Sequence, residues 1–458
     1  MSDKPITPPP AYFLSLSLEN VRSFGEKQTI SFSRKDGRPA QWTIILGDNG
    51  VGKTTALKAL AGLETAYIKQ PNARKRDYSP ILSYLFSRKW FPFRSGTKEL
   101  GVRYEYSEGL ILRQLDGEIK VDWANVTCAV GESNEFEGSY SEYSTYEANE
   151  FICYGYGAGR TTGISTLSES PETVDTCASL FDDRADLLNP EEWFLFADYR
   201  MAKDKDPLTT QNFNLLKAAL LKVMEEGEVT DMDVSPVALG GGSPRQGVRF
   251  KTPYGWVRLR DMSLGYQTLV VWLTDFASKL FIRYPDSKNP LEEPAIVLID
   301  EIDLHLHPSW QRKLIGFLSG IFKNTQFIAT AHSPLVVQAA TDAEANVVLL
   351  KREGDQTIVY QNPEDVRGWR VDQILTSSFF NLETARSVET ENKLARQAAL
   401  LNKVKLTAKE RKELEALTQE LEGQPMGSTS PHAEAEEAEL LRQITERLGR
   451  QPSASAAG

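Results

Sequence analysis

The sequence predicts an α/β fold. The prediction depends on three apolar runs, at residues 42–46, 294–299 and 325–331, which have the length and composition of buried strands. The first run leads through a glycine-rich turn into a helical pattern at residues 56–61, and the second leads through a polar turn into one at residues 310–322. Buried strands joined to helices in this way are typical of α/β domains.

The composition allows a sizeable core and argues against several classes of protein. The chain has 458 residues, of which 41% are hydrophobic and 25% charged, enough for one large domain with insertions or for two or three smaller ones. Its 52 basic and 63 acidic residues give a net charge of −11, so a generally basic nucleic-acid-binding surface is not expected, although a local basic patch is compatible with that average.

The same survey predicts a cytoplasmic protein that does not contact a membrane. The three cysteines have no CxxC spacing, which fits a reducing compartment. The first residues lack a signal pattern, and no run of about eighteen apolar residues occurs.

Two short segments near the amino terminus predict a β-hairpin. Residues 13–18 alternate apolar with polar side chains, and residues 28–32 have the composition of a pairing strand. The segment between them contains Arg22 and Ser23, and by itself it is typical of a connecting turn.

The strongest motif follows the strand at residues 42–46. It reads Gly-Asp-Asn-Gly-Val-Gly-Lys-Thr at residues 47–54, is followed by Thr55, and opens a helix. Glycines let backbone N–H groups surround phosphates, Lys53 reaches the β- and γ-phosphates, and the hydroxyl of Thr54 binds Mg²⁺. The motif therefore predicts a site for a nucleoside triphosphate and Mg²⁺, and ATP is the nucleotide that the resemblance described below implies; the cofactor-binding residues here are Asn49, Gly50, Gly52, Lys53, Thr54 and Thr55.

A second element of the site is predicted at the end of the strand at residues 294–299. Asp300 and Glu301 follow it directly, and because neighbouring strand residues face opposite ways, the two can divide the work. We expect Asp300 near the Mg²⁺ and Glu301 beside the attacking water, as the catalytic base.

Three of the four histidines lie in the turns after the second and third apolar strands, at His305, His307 and His332. Their concentration favours a functional site over core packing. A metal site at His305 and His307 is disfavoured, because no third ligand lies nearby.

A further candidate segment contains Ser263, Gly265 and Gln267 and opens the apolar helix at residues 268–281. A serine and a glycine at this spacing usually form a helix cap. A helix N-terminus also presents backbone N–H groups that suit a γ-phosphate.

In this order the motifs resemble those of the ATP-binding cassette (ABC) family, in particular its soluble SMC/RecF-like branch. Residues 47–55 are similar to the Walker A loop, residues 263–267 to the signature, residues 296–301 to the Walker B strand, residues 305–308 to the D-loop and His332 to the switch histidine.

The resemblance implies an ATPase head with a mixed central sheet and flanking helices, an inserted β-rich and helical subdomain, and a helical carboxy-terminal extension. It implies that Arg22 and Ser23 lie against the nucleotide base and that His332 is catalytic. It also implies a head-to-head dimer at minimum, in which Ser263 and Gly265 act on nucleotide bound to Lys53 of the other subunit. Two departures limit it: no long coiled coil separates the motifs, and the region of residues 154–157, where a Q-loop glutamine is expected, contains none.

A narrower resemblance is to the PtuA-type ATPases of Septu and retron anti-phage systems. Its motifs lie at residues 156–160, 179–182, 190–193, 369–377 and 379–382. It implies an oligomeric ATPase that controls a separate HNH-type nuclease supplied in trans, with DNA contacted through that partner. About 120 residues follow His332 and lack the pattern of a nuclease domain. The alternatives are a RecF-like DNA-binding repair ATPase and, third, the ATPase subunit of a transporter.

The predicted organisation has four parts. Residues 1–63 form an amino-terminal lobe with the Walker A loop, and residues 64–150 form an insertion of short strands and loops with a solvated acidic stretch at residues 131–150. Residues 151–380 form the lobe with the signature, Walker B, D-loop and switch histidine. Residues 381–458 form an acidic helical extension, which includes a capping box at residues 407–410.

Overall fold

The computed structural model describes residues 11–62, 65–69, 78–82, 103–115, 118–130, 136–141, 153–160, 176–237, 245–382, 384–403 and 406–421. The strands are β1 (Ala11–Leu18), β2 (Gln28–Ser31), β3 (Trp42–Gly47), β4 (Thr65–Lys69), β5 (Tyr78–Leu82), β6 (Arg103–Leu115), β7 (Glu118–Val130), β8 (Phe136–Ser141), β9 (Cys153–Tyr156), β10 (Asp231–Val237), β11 (Arg245–Thr252), β12 (Gly255–Arg258), β13 (Ala295–Ile299), β14 (Thr325–Thr330), β15 (Asn346–Glu353) and β16 (Gln356–Gln361). The α-helices are α1 (Lys53–Gly62), α2 (Ala178–Phe181), α3 (Pro190–Asp204), α4 (Pro207–Val223), α5 (Leu264–Arg283), α6 (Pro308–Ile321), α7 (Pro334–Asp342), α8 (Val371–Leu375), α9 (Val388–Leu401) and α10 (Ala408–Leu421).

The first compact unit, residues 1–365, contains a six-stranded sheet in the order β16-β15-β3-β14-β13-β9. The pairs from β15 to β9 are parallel, whereas β16 is antiparallel to β15. The sheet is therefore mixed, which confirms the predicted α/β fold class. All three apolar runs of the sequence form neighbouring strands in its middle, where burial on both faces requires continuous apolar sequence.

The central sheet packs on both faces. One face contributes Ile45, Ile296, Leu298 and Ile328 to a core that also contains α1 and β1. On the other face the rings of Trp42 and Phe327 stack with centroids 4.2 Å apart. Because alternate residues of each strand face opposite ways, one strand serves both cores.

A second sheet, in the order β2-β1-β6-β7-β8, is antiparallel throughout. The predicted pairing of β1 with β2 is confirmed. Residues 64–150 differ from the sequence-based expectation of short strands, because β6 and β7 each have 13 residues. Strand length here follows from pairing with β1 and with each other, a tertiary effect that outweighs local propensity. In the acidic stretch, residues 136–141 form β8, and residues 131–135 and 142–150 lie outside the described residues.

The third sheet contains β10, β11 and β12, and β11 and β12 form a hairpin. The helix predicted at residues 268–281 is confirmed as α5, which begins at Leu264. Among the helices that the structure describes, none is long and apolar enough to cross a membrane.

The second compact unit begins at residue 366 and includes α8, α9 and α10. The predicted capping box is confirmed: the backbone N–H of Glu410 donates to Thr407 Oγ1 at 3.3 Å, and the N–H of Thr407 donates to Glu410 Oε2 at 2.9 Å. The part of the predicted acidic helical extension that follows residue 421 lies outside the described residues. The four-part domain division stays a prediction.

The close packing of β3 against β15 makes Gly47 a sensitive position. Its φ is +144°, and a Cβ there would lie 2.3 Å from the carbonyl oxygen of Leu350. We expect Gly47→Ala to destabilise the fold by about 3 kcal/mol or more, measured as a fall in the urea midpoint of unfolding. The matched control is Gly316→Ala in α6, where a Cβ meets nothing within 4 Å and should add up to about 1 kcal/mol of stability. Equal midpoints for the two variants would contradict the clash at Gly47.

Candidate functional site

A polar cleft of about 350 Å³ lies at the end of the central sheet, where β3 and β13 lead into their following turns. It is lined by Arg22, Ser23, Asn49, Gly50, Gly52, Lys53, Thr54, Thr55, Asp300, Glu301 and His332. Every lining residue belongs to the set that the sequence predicted. The carboxyl ends of parallel strands in such a sheet are the usual position of a ligand site.

The glycines of the loop have conformations that other residues rarely adopt. Gly50 and Gly52 have φ values of +81° and +101°. A Cβ on Gly52 would lie 2.6 Å from Ser23 Oγ, so the loop can approach its neighbour only with glycine there. Glycines with such φ values let the backbone N–H groups of a loop turn toward a bound phosphate, and the N-terminus of α1 adds a favourable dipole.

Lys53 is held at the base of this loop. Its ammonium group donates to the carbonyl oxygens of Gly47 at 2.7 Å and Asp48 at 2.9 Å. Burial lowers the pKa of Lys53, and the nearby carboxylates of Asp300 and Glu301 oppose that shift. The side chain is thus a positioned cation at the floor of the cleft.

The turn between β1 and β2 forms one wall of the cleft. Arg22 has a φ of +48°, and the hydroxyl of Ser23 donates to the carbonyl oxygen of Val51 at 3.1 Å. Thr357 supports the same carbonyl, with its Oγ1 donating at 2.8 Å. The segment is therefore a turn, as its composition predicts, and it also borders the cleft, as the family resemblance implies.

The carboxylate of Asp300 joins three elements. Thr54 Oγ1, in α1, donates to Asp300 Oδ2 at 2.7 Å, and Thr330 Oγ1, at the end of β14, donates to Asp300 Oδ1 at 2.6 Å. Mg²⁺ usually takes one or two protein oxygens, phosphate oxygens and waters. The adjacent oxygens of Thr54 and Asp300 fit that requirement.

Glu301 is not part of the strand that precedes it. β13 ends at Ile299, and Glu301 has a φ of +49°. The expected opposite orientation of Asp300 and Glu301 assumed a continuous strand. In the structure both line one cleft, because the left-handed residue turns the chain back.

His332 is exposed at the mouth of the cleft, and its backbone is tied to the turn after β13. Its N–H donates to Asp303 Oδ2 at 2.9 Å. Gln311 Nε2 donates to the carbonyl oxygens of Asp303 at 3.2 Å and Leu306 at 3.0 Å, and Gln311 Oε1 accepts from Ser333 Oγ at 2.6 Å. Movement in one of these two turns must therefore disturb the other.

Ser263, Gly265 and Gln267 are not among the residues that line the cleft. Ser263 is exposed at the N-terminus of α5, and within the described residues its hydroxyl forms no capping bond. The amide of Gln267 donates to the carbonyl oxygen of Met262 at 2.7 Å, so it supports the preceding loop. A Cβ on Gly265 would lie 2.5 Å from the carbonyl oxygen of His305. Packing within the chain therefore requires a glycine at position 265, whether or not this residue also contacts a second subunit.

Sequence reasoning missed Arg160, Thr330 and Asp303 as parts of this site. Arg160 is buried, and its guanidinium group donates to the backbone carbonyl oxygens of Asp300 and Glu301. Arg160 ends the glycine-rich turn after β9, a motif too weak to interpret alone. Thr330 and Asp303 each lie within two residues of a predicted site residue. This closeness in sequence was the only indication that they belong to the site.

Comparison with known proteins gives two family matches. Residues 15–100 match a model described as an AAA domain, and residues 172–338 match one described as "AAA domain, putative AbiEii toxin, Type IV TA system". The Septu protein PtuA of Bacillus mycoides (strain KBAB4) is 26% identical over 371 residues, which are 80% of this chain and 44% of that protein. The chain is therefore similar to Septu PtuA over most of its length, and two of its segments match AAA-domain models.

Other relatives match this chain over different lengths. The Septu protein PtuA of Bacillus thuringiensis is 24% identical over 75% of this chain and 79% of that protein. The Retron Ec83 probable ATPase of Escherichia coli is 46% identical over 24% of this chain and 19% of that protein. The chain thus spans less than half the length of some of its relatives.

Among solved structures, the SMC head domain from Thermotoga maritima matches this chain with a TM-score of 0.39 and 15% identity, over 76% of this chain and 98% of that one. The fold assignment stands on the sheet order and on the cleft of the chain itself.

Thr330 provides a test of the bonds around Asp300. Thr330→Val keeps the shape of the side chain but leaves Asp300 Oδ1 and the N–H of Glu301, which donates to Thr330 Oγ1 at 2.7 Å, without this partner. We expect a loss of about 1–3 kcal/mol in the free energy of unfolding, measured by urea titration.

The matched control is Thr43→Val in the neighbouring strand β3. Thr43 is equally buried, and its hydroxyl has no hydrogen-bond partner among the described residues. The control should be neutral or stabilising, since a buried unpaired hydroxyl is unfavourable. Similar effects at the two positions would show that the Thr330 hydroxyl does not hold this turn.

Proposed function

We propose that the chain is a Mg²⁺-dependent ATPase that acts as an oligomeric switch and controls a separate nuclease in anti-phage defence. The convergence of Lys53, Asp300, Glu301 and His332 on one cleft carries the proposal. A cation, a carboxylate on a threonine hydroxyl, a second carboxylate and an imidazole are the groups that phosphoryl transfer to water needs.

Each cleft residue has a proposed role. Lys53 and the loop N–H groups, with Asn49, Gly50, Gly52 and Thr55, surround the phosphates. Arg22 and Ser23 lie beside the base. Thr54 and Asp300 hold Mg²⁺, which neutralises charge on the phosphate oxygens.

The remaining cleft residues are assigned to hydrolysis. Glu301 orients and polarises the attacking water, because it lines the cleft together with Asp300 and its carboxylate forms no bond to Thr54 or Thr330 that the structure describes. In this proposal His332, which lines the cleft, contacts the γ-phosphate, and the hydrogen bond from its backbone N–H to Asp303 transmits that contact to the neighbouring turn.

In this proposal the signature residues of one subunit act on the nucleotide that the other subunit binds. Ser263, Gly265 and Gln267 lie on the N-terminus of α5 and outside the cleft, and Ser263 is exposed. A head-to-head dimer brings that N-terminus onto nucleotide held by the partner. ATP then strengthens dimerisation, and dimerisation strengthens ATP binding by the same factor.

The nuclease partner is proposed from the PtuA relatives. We propose a separate effector, of the HNH type, that acts on DNA in the cytoplasm and is released or activated when hydrolysis opens the dimer. The acidic charge of −11 favours contact with a protein partner over direct contact with DNA.

The first test of hydrolysis is Glu301→Gln. We expect kcat to fall by about 10²–10⁴-fold while ATP still binds, so that the ATP-bound dimer accumulates. The measurements are phosphate release and mass photometry with ATP. The matched control is Glu344→Gln, an exposed glutamate with a φ of +54° outside the cleft, which should behave as wild type. Unchanged turnover in Glu301→Gln would remove Glu301 from the mechanism.

Nucleotide binding is tested with Lys53→Ala. Loss of the ammonium group should weaken ATP binding by about 100-fold, measured with a fluorescent ATP analogue. Lys323→Ala, which changes an exposed surface lysine paired with Glu292, is the control and should bind as wild type. Wild-type affinity in Lys53→Ala would exclude the cleft as the ATP site.

The partner is tested by affinity purification of Glu301→Gln from the native host, with Lys53→Ala in parallel, followed by mass spectrometry. A nuclease recovered in fixed stoichiometry with Glu301→Gln supports the switch. A dimer without a nuclease that binds duplex DNA tightly, with an affinity that falls steeply as salt rises, would support a RecF-like repair ATPase instead.

A further inference from the structure

We infer that Arg160 is a positioning residue for ATP hydrolysis, which fixes Asp300 and Glu301 by binding their two backbone carbonyl oxygens. The inference rests on the proposed ATPase function of the cleft and adds to it a residue from outside the P-loop, the signature and the carboxylate turn.

The contacts of Arg160 are unusual for a guanidinium group beside acids. One terminal nitrogen donates to the carbonyl oxygen of Asp300 and to that of Glu301, the latter at 2.7 Å, and Nε donates to the carbonyl oxygen of Gly157 at 3.0 Å. These bonds reach backbone oxygens and leave the carboxylate of Asp300 to Thr54 and Thr330. Arg160 thus holds the turn without neutralising its functional groups through a direct pair.

The turn needs such support because of its backbone. Glu301 has a φ of +49° and Arg160 itself has a φ of +30°. Left-handed conformations are unfavourable for residues other than glycine, and they persist where surrounding contacts determine them. A hydrogen bond joins these two residues, so each strained segment stabilises the other.

The turn that carries Arg160 is itself held in place by close packing against residues 177–180. Gly155 and Gly157 lie so close to residues 177–180 that a Cβ on Gly157 would be 2.1 Å from the carbonyl oxygen of Ser179. Ser179 Oγ donates to the carbonyl oxygen of Gly155 at 3.1 Å and accepts from the N–H of Gly157 at 3.4 Å. In addition, the N–H of Asp300 donates to the carbonyl oxygen of Tyr156 at 2.8 Å. The turn after β9 and the turn after β13 are therefore one rigid unit.

The electrostatics are compatible with a permanent cation at this place. Only 5% of Arg160 is exposed, and burial lowers its pKa to about 10, while the carboxylates of Asp300, Asp303 and Glu301 oppose the shift. The guanidinium group is charged at neutral pH. Arg160 therefore places one positive charge against the backbone of the carboxylate turn, and Lys53 places another in the cleft.

The test compares Arg160→Met, Arg160→Lys and the control Arg352→Met. Arg352 is an exposed arginine whose Nε also donates to a backbone carbonyl oxygen, that of Gly354 at 3.1 Å, so the control removes a similar bond outside the cleft. Each variant is measured for kcat and KM with ATP, for affinity toward a fluorescent ATP analogue with and without Mg²⁺, and for Tm.

In Arg160→Met we expect kcat to fall about 10- to 100-fold, since small displacements of a catalytic group cost that much. Affinity without Mg²⁺ should stay within about threefold of wild type, because the P-loop is intact, whereas the gain in affinity on adding Mg²⁺ should be largely lost as Asp300 moves. The kcat and the Mg²⁺ effect of Arg160→Lys should lie between those of Arg160→Met and wild type, since one ammonium group cannot reach all three carbonyl oxygens. Arg352→Met should match wild type.

Three results would overturn the inference. One is a kcat and a Mg²⁺ effect in Arg160→Met within about twofold of wild type. Another is a parallel loss of affinity with and without Mg²⁺ that follows a lower Tm, which would indicate support of the fold alone. The third applies if Arg160→Met does not fold. In that case Arg160→Lys is measured instead, and a kcat and a Mg²⁺ effect equal to those of wild type would contradict the inference.

Failure of the proposed function has a different signature. A wild-type protein that does not hydrolyse ATP would contradict the proposed ATPase. The Mg²⁺ effect on nucleotide affinity needs no hydrolysis, and it would still decide whether Arg160 positions Asp300.

Discussion

The hydrogen bonds of the Asp300 carboxylate are the interaction on which the site depends. They tie Thr54 at the start of α1 to Thr330 at the end of β14, with Asp300 following β13 between them. A buried carboxylate is costly unless its oxygens are paired, and here both are. The P-loop and the carboxylate turn are therefore held together by side-chain hydrogen bonds, which is the pre-organisation that the proposed hydrolysis would need.

Several residues with a strained backbone lie around this carboxylate. Arg22, Arg160, Glu301 and His305 are non-glycine residues with positive φ, and the first three border the cleft or bind its carboxylate turn. Each strained residue is held by contacts from another part of the chain, such as the guanidinium group of Arg160 on Glu301. A network of this kind resists small displacements of catalytic groups, and it links the cleft to the turns that carry Asp303 and His332.

Much of the site was visible in the sequence because its residues are local to recognisable strands. The residues from Asn49 to Thr55 follow β3 directly, and Asp300 and Glu301 follow β13, so an apolar run and the polar residues after it were enough to predict them. The orientation of Glu301 was not visible, because a left-handed residue after a strand leaves no pattern in side-chain alternation. The long strands β6 and β7 were missed for a related reason: their length depends on strand pairing, since β6 pairs with β1, which lies about 90 residues earlier in the chain, and β7 pairs with β6.

The sequence by itself determined the α/β class, the central strands and the nucleotide-binding loop, since each follows from local periodicity and from residue types with one dominant use. The tertiary structure alone decided which distant residues complete the site. Thr330 and Arg160 bind Asp300 from separations of 30 and 140 residues, and the closeness of Gly265 to His305 and of Gly52 to Ser23 is equally non-local. Such contacts depend on how strands and turns pack, and side-chain chemistry at one position carries no information about the partner that folding brings to it.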